Sequence, residues 1–175
     1  MVTAMGETVK RSIARAQTLA GRVVLVGEDN PRSRDPRAAL WPLPPNCAGG
    51  RLARILGHTR VEYLRLYART NLCASGAWSM DEAERAARAL LAERPAALVL
   101  LGARVARAFL RVGVESEMFA IRRVDDVLVV ALPHPSGRNL AYNDPSRCEA
   151  ARAIVRELRQ RVTVEMVRDA LRSAE

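Results

Sequence analysis

The sequence predicts an α/β protein, a three-layer sandwich in which a mainly parallel sheet lies between two layers of helices. Three observations carry that prediction. Short β-branched or leucine-rich runs recur at 22 to 26, 96 to 101 and 127 to 132; stretches of helical periodicity separate them; and the runs end in Gly27, in Gly102 and in a His-Pro-Ser-Gly loop. Strands that alternate with helices of ten or more residues need crossover connections, which set the strands side by side in parallel and cover both faces of the sheet.

Taken in order, residues 7 to 20 read as a basic helix with Val9, Ile13, Ala16 and Leu19 or Ala20 on one face. The first strand, 22 to 26, stops at GEDNPRS, where Gly27 permits a sharp exit and Glu28, Asp29 and Asn30 put two carboxylates and an amide just beyond the sheet. A loop rich in Pro, Arg and Asp spans 27 to 47. In AGGRLARIL, Ala48 to Leu56, the spacing of Leu52, Ile55 and Leu56 is helical, and Gly57 is the stop. LRLYART, 64 to 70, reads as a second strand closed by Asn71, with His58 at the surface of a helix-to-strand connection. Ser79 with Glu82 forms a capping box, and the alanine-rich run to about Glu93 has strong helix propensity until Pro95 ends it.

Ala96 to Leu101 is a buried strand, Gly102 a turn, and Ala103 to Arg111 a helix. Phe119 to Arg123, the acidic turn at Asp125 and Asp126, and the run from Val127 form a small β ribbon whose second member is the last main strand. An amphipathic helix follows from about Pro145 to Arg161, and a separate short one from Val164 to Arg172. No linker or repeat divides the chain, so residues 1 to 175 are expected to form one domain with its core in 22 to 160.

A chain of 175 residues can bury a sizeable core without staples. Cys47, Cys73 and Cys148 are an odd count without CxxC spacing, so neither a disulfide framework nor a zinc or iron–sulfur quartet is expected, and free thiols in a reducing cytoplasm are. No apolar stretch approaches membrane-spanning length and the N-terminus lacks a secretory h-region, which predicts a cytoplasmic protein without a membrane partner. Lysine and arginine total 28 against 19 acids, a net charge of +9, and every cation but Lys10 is arginine. That excess fits a polyanionic partner and a GC-rich genome equally well. GxGxxG and GxxxxGK[ST] are both absent, which argues against dinucleotide and P-loop nucleotide chemistry.

Ligands of open parallel sheets bind outside the carboxyl ends of the strands, so Asp29, Asn71 and His134 are expected to face one crevice. LPHPSGRN, Leu132 to Asn139, adds an imidazole, a hydroxyl, backbone N–H groups and a cation to the same rim, a set suited to an anionic polymer and a reacting base.

With GEDNP, AGGRL, RTN, LLG and HPSGRN set in this order, the chain resembles the uracil-DNA glycosylase superfamily over roughly residues 22 to 160, most specifically through HPSGRN after a buried strand. The resemblance implies a parallel four-stranded sheet between helices. It also implies a cofactor-free, metal-free enzyme that flips a nucleotide out of DNA and hydrolyses the bond between base and deoxyribose. That reaction places positive charge on the sugar and negative charge on the departing base, so it needs an anion beside one and hydrogen-bond donors beside the other.

By resemblance, Asp29 positions or deprotonates the water. The family loop runs Gly, any residue, Asp or Asn, Pro, whereas here Asn30 stands between Asp29 and Pro31, so Asn30 is an equal candidate and Glu28 a third. His134 corresponds to the histidine that stabilises the anion on the leaving base, and Asn71 to the amide that reads a pyrimidine edge. Ser136 and Gly137 correspond to phosphate contacts, and Arg138, Asn139 and Leu140 occupy the place of the wedge, with Leu140 its apolar member.

Aligning AGxxL on Ala48, Gly49 and Leu52 puts Pro44 where the iron–sulfur branch stacks an aromatic on the base. The nearest aromatic is Trp41, so either the pocket is wide enough for a pyrimidine enlarged at C5 or Trp41 swings in as the face that stacks on the base; Trp78 is expected to serve packing. Lys10 lies near no motif, which argues against a Schiff-base lyase and for a monofunctional glycosylase, and the protein is expected to act as a monomer. The alternative is a non-catalytic DNA-binding module of the same fold, favoured by the irregular GEDNP loop and by a charge sufficient to hold DNA.

Overall fold

The computed structural model describes residues 19–30, 33, 35–74, 77–110 and 118–174, so nearly all of the helix expected at 7 to 20 lies outside the described residues. Five strands form one sheet in the order β2-β1-β3-β5-β4, namely β1 Val23–Gly27, β2 Ala68–Asn71, β3 Ala97–Leu101, β4 Ile121–Val124 and β5 Val127–Leu132. β2, β1, β3 and β5 are mutually parallel, and β4 runs antiparallel along β5 from Ile121↔Val130 to Val124↔Val127. The sheet therefore has five strands rather than the four that the resemblance implies. The ribbon supplies the fifth, because Asp125 and Asp126, at φ 45° and 66°, both take the left-handed conformation that a tight two-residue hairpin turn requires.

β1, β3 and β5 are buried along their whole lengths, as strands covered on both faces must be. Val24, Val26, Leu98, Leu100, Val129 and Ala131 share one apolar core with α3 (Met80–Ala92) and α4 (Ala103–Leu110). The alternate residues Val23, Leu25, Val99, Leu101, Val130 and Leu132 share the other with α1 (Ala48–Ile55), α2 (Arg60–Leu66) and α5 (Pro145–Arg172). This is the predicted three-layer arrangement, and Trp78 packs at the edge of the first core as expected. Among the described residues, no helix is long and apolar enough to cross a membrane.

Three local readings are corrected. Residues 64 to 66 belong to α2, not to a strand: the Thr59 hydroxyl accepts from the Glu62 N–H at 3.3 Å while the Glu62 carboxylate accepts from the Thr59 N–H at 2.8 Å, a capping box that starts a helix at Arg60 and leaves β2 to begin at Ala68. His58 consequently lies between two helices, and instead of standing at the surface it is half-buried, with Nε2 3.0 Å from the Tyr67 hydroxyl. The two helices expected after Pro145 are one. The Thr163 hydroxyl donates to the Arg159 carbonyl at 3.1 Å, and Glu165 pairs with Arg123 of β4, so the β-branched step at 162 to 164 is carried through.

Candidate active site

From β1 the chain leaves through α1 and α2 on one face of the sheet, whereas from β3 it leaves through α4 on the other. Neighbouring strands whose connections diverge in this way open a crevice beyond their carboxyl ends, the place where open α/β sheets bind ligands. Two glycines let the predicted residues close on it. Gly27 ends β1 opposite Asn71, and a Cβ there would collide with Asn71 Oδ1. Gly102 follows β3 at φ 103°, donates its N–H to the Leu132 carbonyl at 2.8 Å, and is tightly flanked: a Cβ would stand 3.2 Å from His134 Cβ and 3.3 Å from Glu28 Oε1.

Backbone bonds from Leu72 to the Gly27 carbonyl (3.0 Å) and from Cys73 to the Glu28 carbonyl (2.9 Å) continue the β1–β2 pairing past the strands and fix both exits. Glu28 and His134, distant in sequence, thereby meet at Gly102, Asn71 stands against the neighbouring Gly27, and Asp29 is close enough for its charge to act on His134.

Burial pushes His134 below the ordinary histidine value, against the opposing pull of Glu28 and then Asp29. Its Nδ1 accepts from the Ser136 N–H at 3.1 Å. A nitrogen that accepts carries no proton, so the neutral ring keeps its proton, and its donor, on Nε2. The two water-positioning candidates are placed differently. The Asn30 amide donates to the Ala38 carbonyl at 3.3 Å and braces the loop, whereas the half-buried Asp29 carboxylate makes no hydrogen bond to a described residue.

The HPSG loop rests on a residue that the sequence did not single out. Arg51 of α1 donates Nε to the Pro135 carbonyl at 3.0 Å, and its Nη1 lies 3.9 Å from where a Gly137 Cβ would stand. Helical periodicity marks Arg51 only as a residue off the apolar stripe, and no local signal ties it to a loop 84 positions away. Ser136 is half-buried, and Gly137 and Arg138 are exposed. Asn139 accepts from the Ala141 N–H at 2.9 Å and caps the 3₁₀ turn Leu140–Asn143, leaving Leu140 69% exposed.

Trp41 and Pro44 lie on the loop that follows Leu40, whose side chain packs against Gly27. Trp41 is exposed with the Arg69 guanidinium 5.0 Å from its ring centre, two residues back along β2 from Asn71. Pro44 is exposed, follows a cis peptide, and accepts from the Cys47 N–H at 3.0 Å. A cavity of about 270 Å³ beneath Pro42, Leu43 and Pro45, and one of about 60 Å³ beside Tyr67, both border His58 and include none of Asp29, Asn71 and His134. Among the described residues, no three His, Cys, Asp or Glu side chains are grouped to hold a metal ion. No protein-family model matches this chain, and no curated protein matches it.

Proposed function

We propose that this chain is a monofunctional DNA glycosylase of the uracil-DNA glycosylase kind, which flips out uracil or a C5-modified pyrimidine and hydrolyses its N-glycosidic bond. The observation that carries the reading is the meeting of Glu28 and His134 at Gly102, with Asp29 near enough to act on His134 and Asn71 against the neighbouring Gly27. As the bond from C1′ to the base breaks, the electron pair leaves with the base, and a water adds to C1′ and gives its proton to the Asp29 carboxylate, while the base anion takes up a proton from solvent. The Asp29 carboxylate orients that water and offsets the positive charge on the sugar. A neutral His134, with its donor on Nε2, hydrogen-bonds the oxygen on which the departing base collects negative charge. The Asn71 amide offers one donor and one acceptor to the pyrimidine edge.

Ser136, Gly137 and Arg138, steadied from below by Arg51, supply the phosphate contacts, and exposed Leu140 fills the stack that the flipped nucleotide vacates. The test is a set of duplex oligonucleotides carrying uracil, thymine opposite guanine, or pyrimidines enlarged at C5, each assayed for alkali-labile sites and for binding. Base release from one of them is expected. Tight binding with no release from any would overturn the enzyme reading in favour of a DNA-binding module.

A further inference from the structure

A second concentration of donors lies at the other end of β2, where Tyr67 enters the strand beneath α5. Arg152, Arg156 and Arg159 occupy positions i, i+4 and i+7 of that helix, so three guanidinium groups share one face and converge, with His58 and Tyr67, on the cavity of about 60 Å³. No carboxylate lines it. The nearby acids are committed elsewhere, Glu62 to the Thr59 capping box and Glu157 to Arg161 at 2.6 Å. Like charges at this spacing repel, and an anion bound among them would offset that repulsion.

The walls are already set in place. Arg152 donates Nε to the Ile55 carbonyl at 2.7 Å and Nη2 to the Arg54 carbonyl at 3.3 Å, and the Arg159 guanidinium carbon lies 6.0 Å from the centre of the Tyr67 ring, whose hydroxyl meets His58 Nε2. Arg156 makes no ion pair or hydrogen bond to a described residue. Burial, with a smaller push from the Arg159 charge and against the pull of Glu62, holds His58 below the ordinary histidine range.

We propose that the His58–Tyr67–Arg152–Arg156–Arg159 cavity is a second binding site, remote from the crevice, for a free or terminal phosphate group. Guanidinium forks match the spacing of phosphate oxygens, and imidazole and phenol add directional donors. The volume is several times the ~10–15 Å³ that one water needs, enough for a tetrahedral oxyanion. Arg152 and Arg156 are exposed, so a free or terminal phosphate can reach the cavity from solvent. The site stands whether or not the crevice proves to be that of a glycosylase.

Titration calorimetry and ³¹P NMR of the full chain with inorganic phosphate, and with a nucleoside 5′-monophosphate, test it and separate the two sources. Saturable one-to-one binding of at least one ligand is expected in the wild type and in Arg138→Ala. In Arg156→Gln and in Arg156→Gln/Arg159→Gln, binding should weaken by about tenfold or more, with unchanged circular dichroism and unchanged duplex affinity. Binding that is absent, that survives the double substitution, or that is lost in Arg138→Ala would overturn the proposal. So would a loss of duplex affinity in the double variant without phosphate binding, which would make the cluster part of a DNA surface.

Discussion

Opposing influences act on His134: burial holds it neutral while Glu28 and Asp29 favour its charged form. Because burial prevails, the folded chain resists a proton that the unfolded chain accepts near pH 6.5, so the stability is present above that value and declines as pH falls through it. His58 acts in the same direction. His134→Gln should therefore flatten the fall in melting temperature between about pH 7 and pH 5, with His58 accounting for the slope that is left; an unchanged slope would remove His134 from this balance. Gly102→Ala faces a left-handed φ and two close neighbours, and should destabilise the fold by about 1–3 kcal/mol in a denaturant titration. His134 and Asn71 were legible because each ends a strand within a short motif. Arg51 was not, since only the folded chain brings α1 beneath the HPSG loop.

At the level of elements, the buried strands β1, β3 and β5 were readable from unbroken apolar runs, and α1 from its spacing and its terminal Gly57, which takes φ 73°. The segment before β2 misled because leucine at 64 and 66 alternates like a half-buried strand, while the signal that decides it, Thr59 followed by Glu62, lies upstream. Thr59→Ala should cost about 1 kcal/mol in thermal or chemical unfolding, and no measurable loss would show that α2 is held by the packing of Tyr63 alone. The β-branched residues at 162 to 164 do not break the C-terminal helix, because a side-chain bond to Arg159 and a pairing with β4 carry it through. Trp41 lies on a loop braced by Cys47, whose thiol donates to the Trp41 carbonyl at 3.0 Å. If that loop borders the base pocket, Trp41→Ala should alter the ratio of excision rates between plain and C5-enlarged pyrimidines, and an unchanged ratio would confine Trp41 to its contact with Arg69.

Across the whole molecule, parallel strand order was legible in the alternation of elements, but the position of the crevice between β1 and β3 was not, because it depends on which face each connection takes. The net charge of +9 and the exposed Arg138 predict duplex binding that weakens steeply with salt. Arg138→Ala should lower the slope of log affinity against log salt by about one, and affinity indifferent to salt would contradict phosphate-led binding. The most direct measurement of all is single-turnover base release by Asp29→Asn and His134→Ala from the duplex that the wild type cuts fastest. Each substitution is predicted to slow release by roughly 10²–10⁴ while duplex affinity changes by no more than about twofold. Wild-type release rates in both variants would contradict a reaction centred on this crevice.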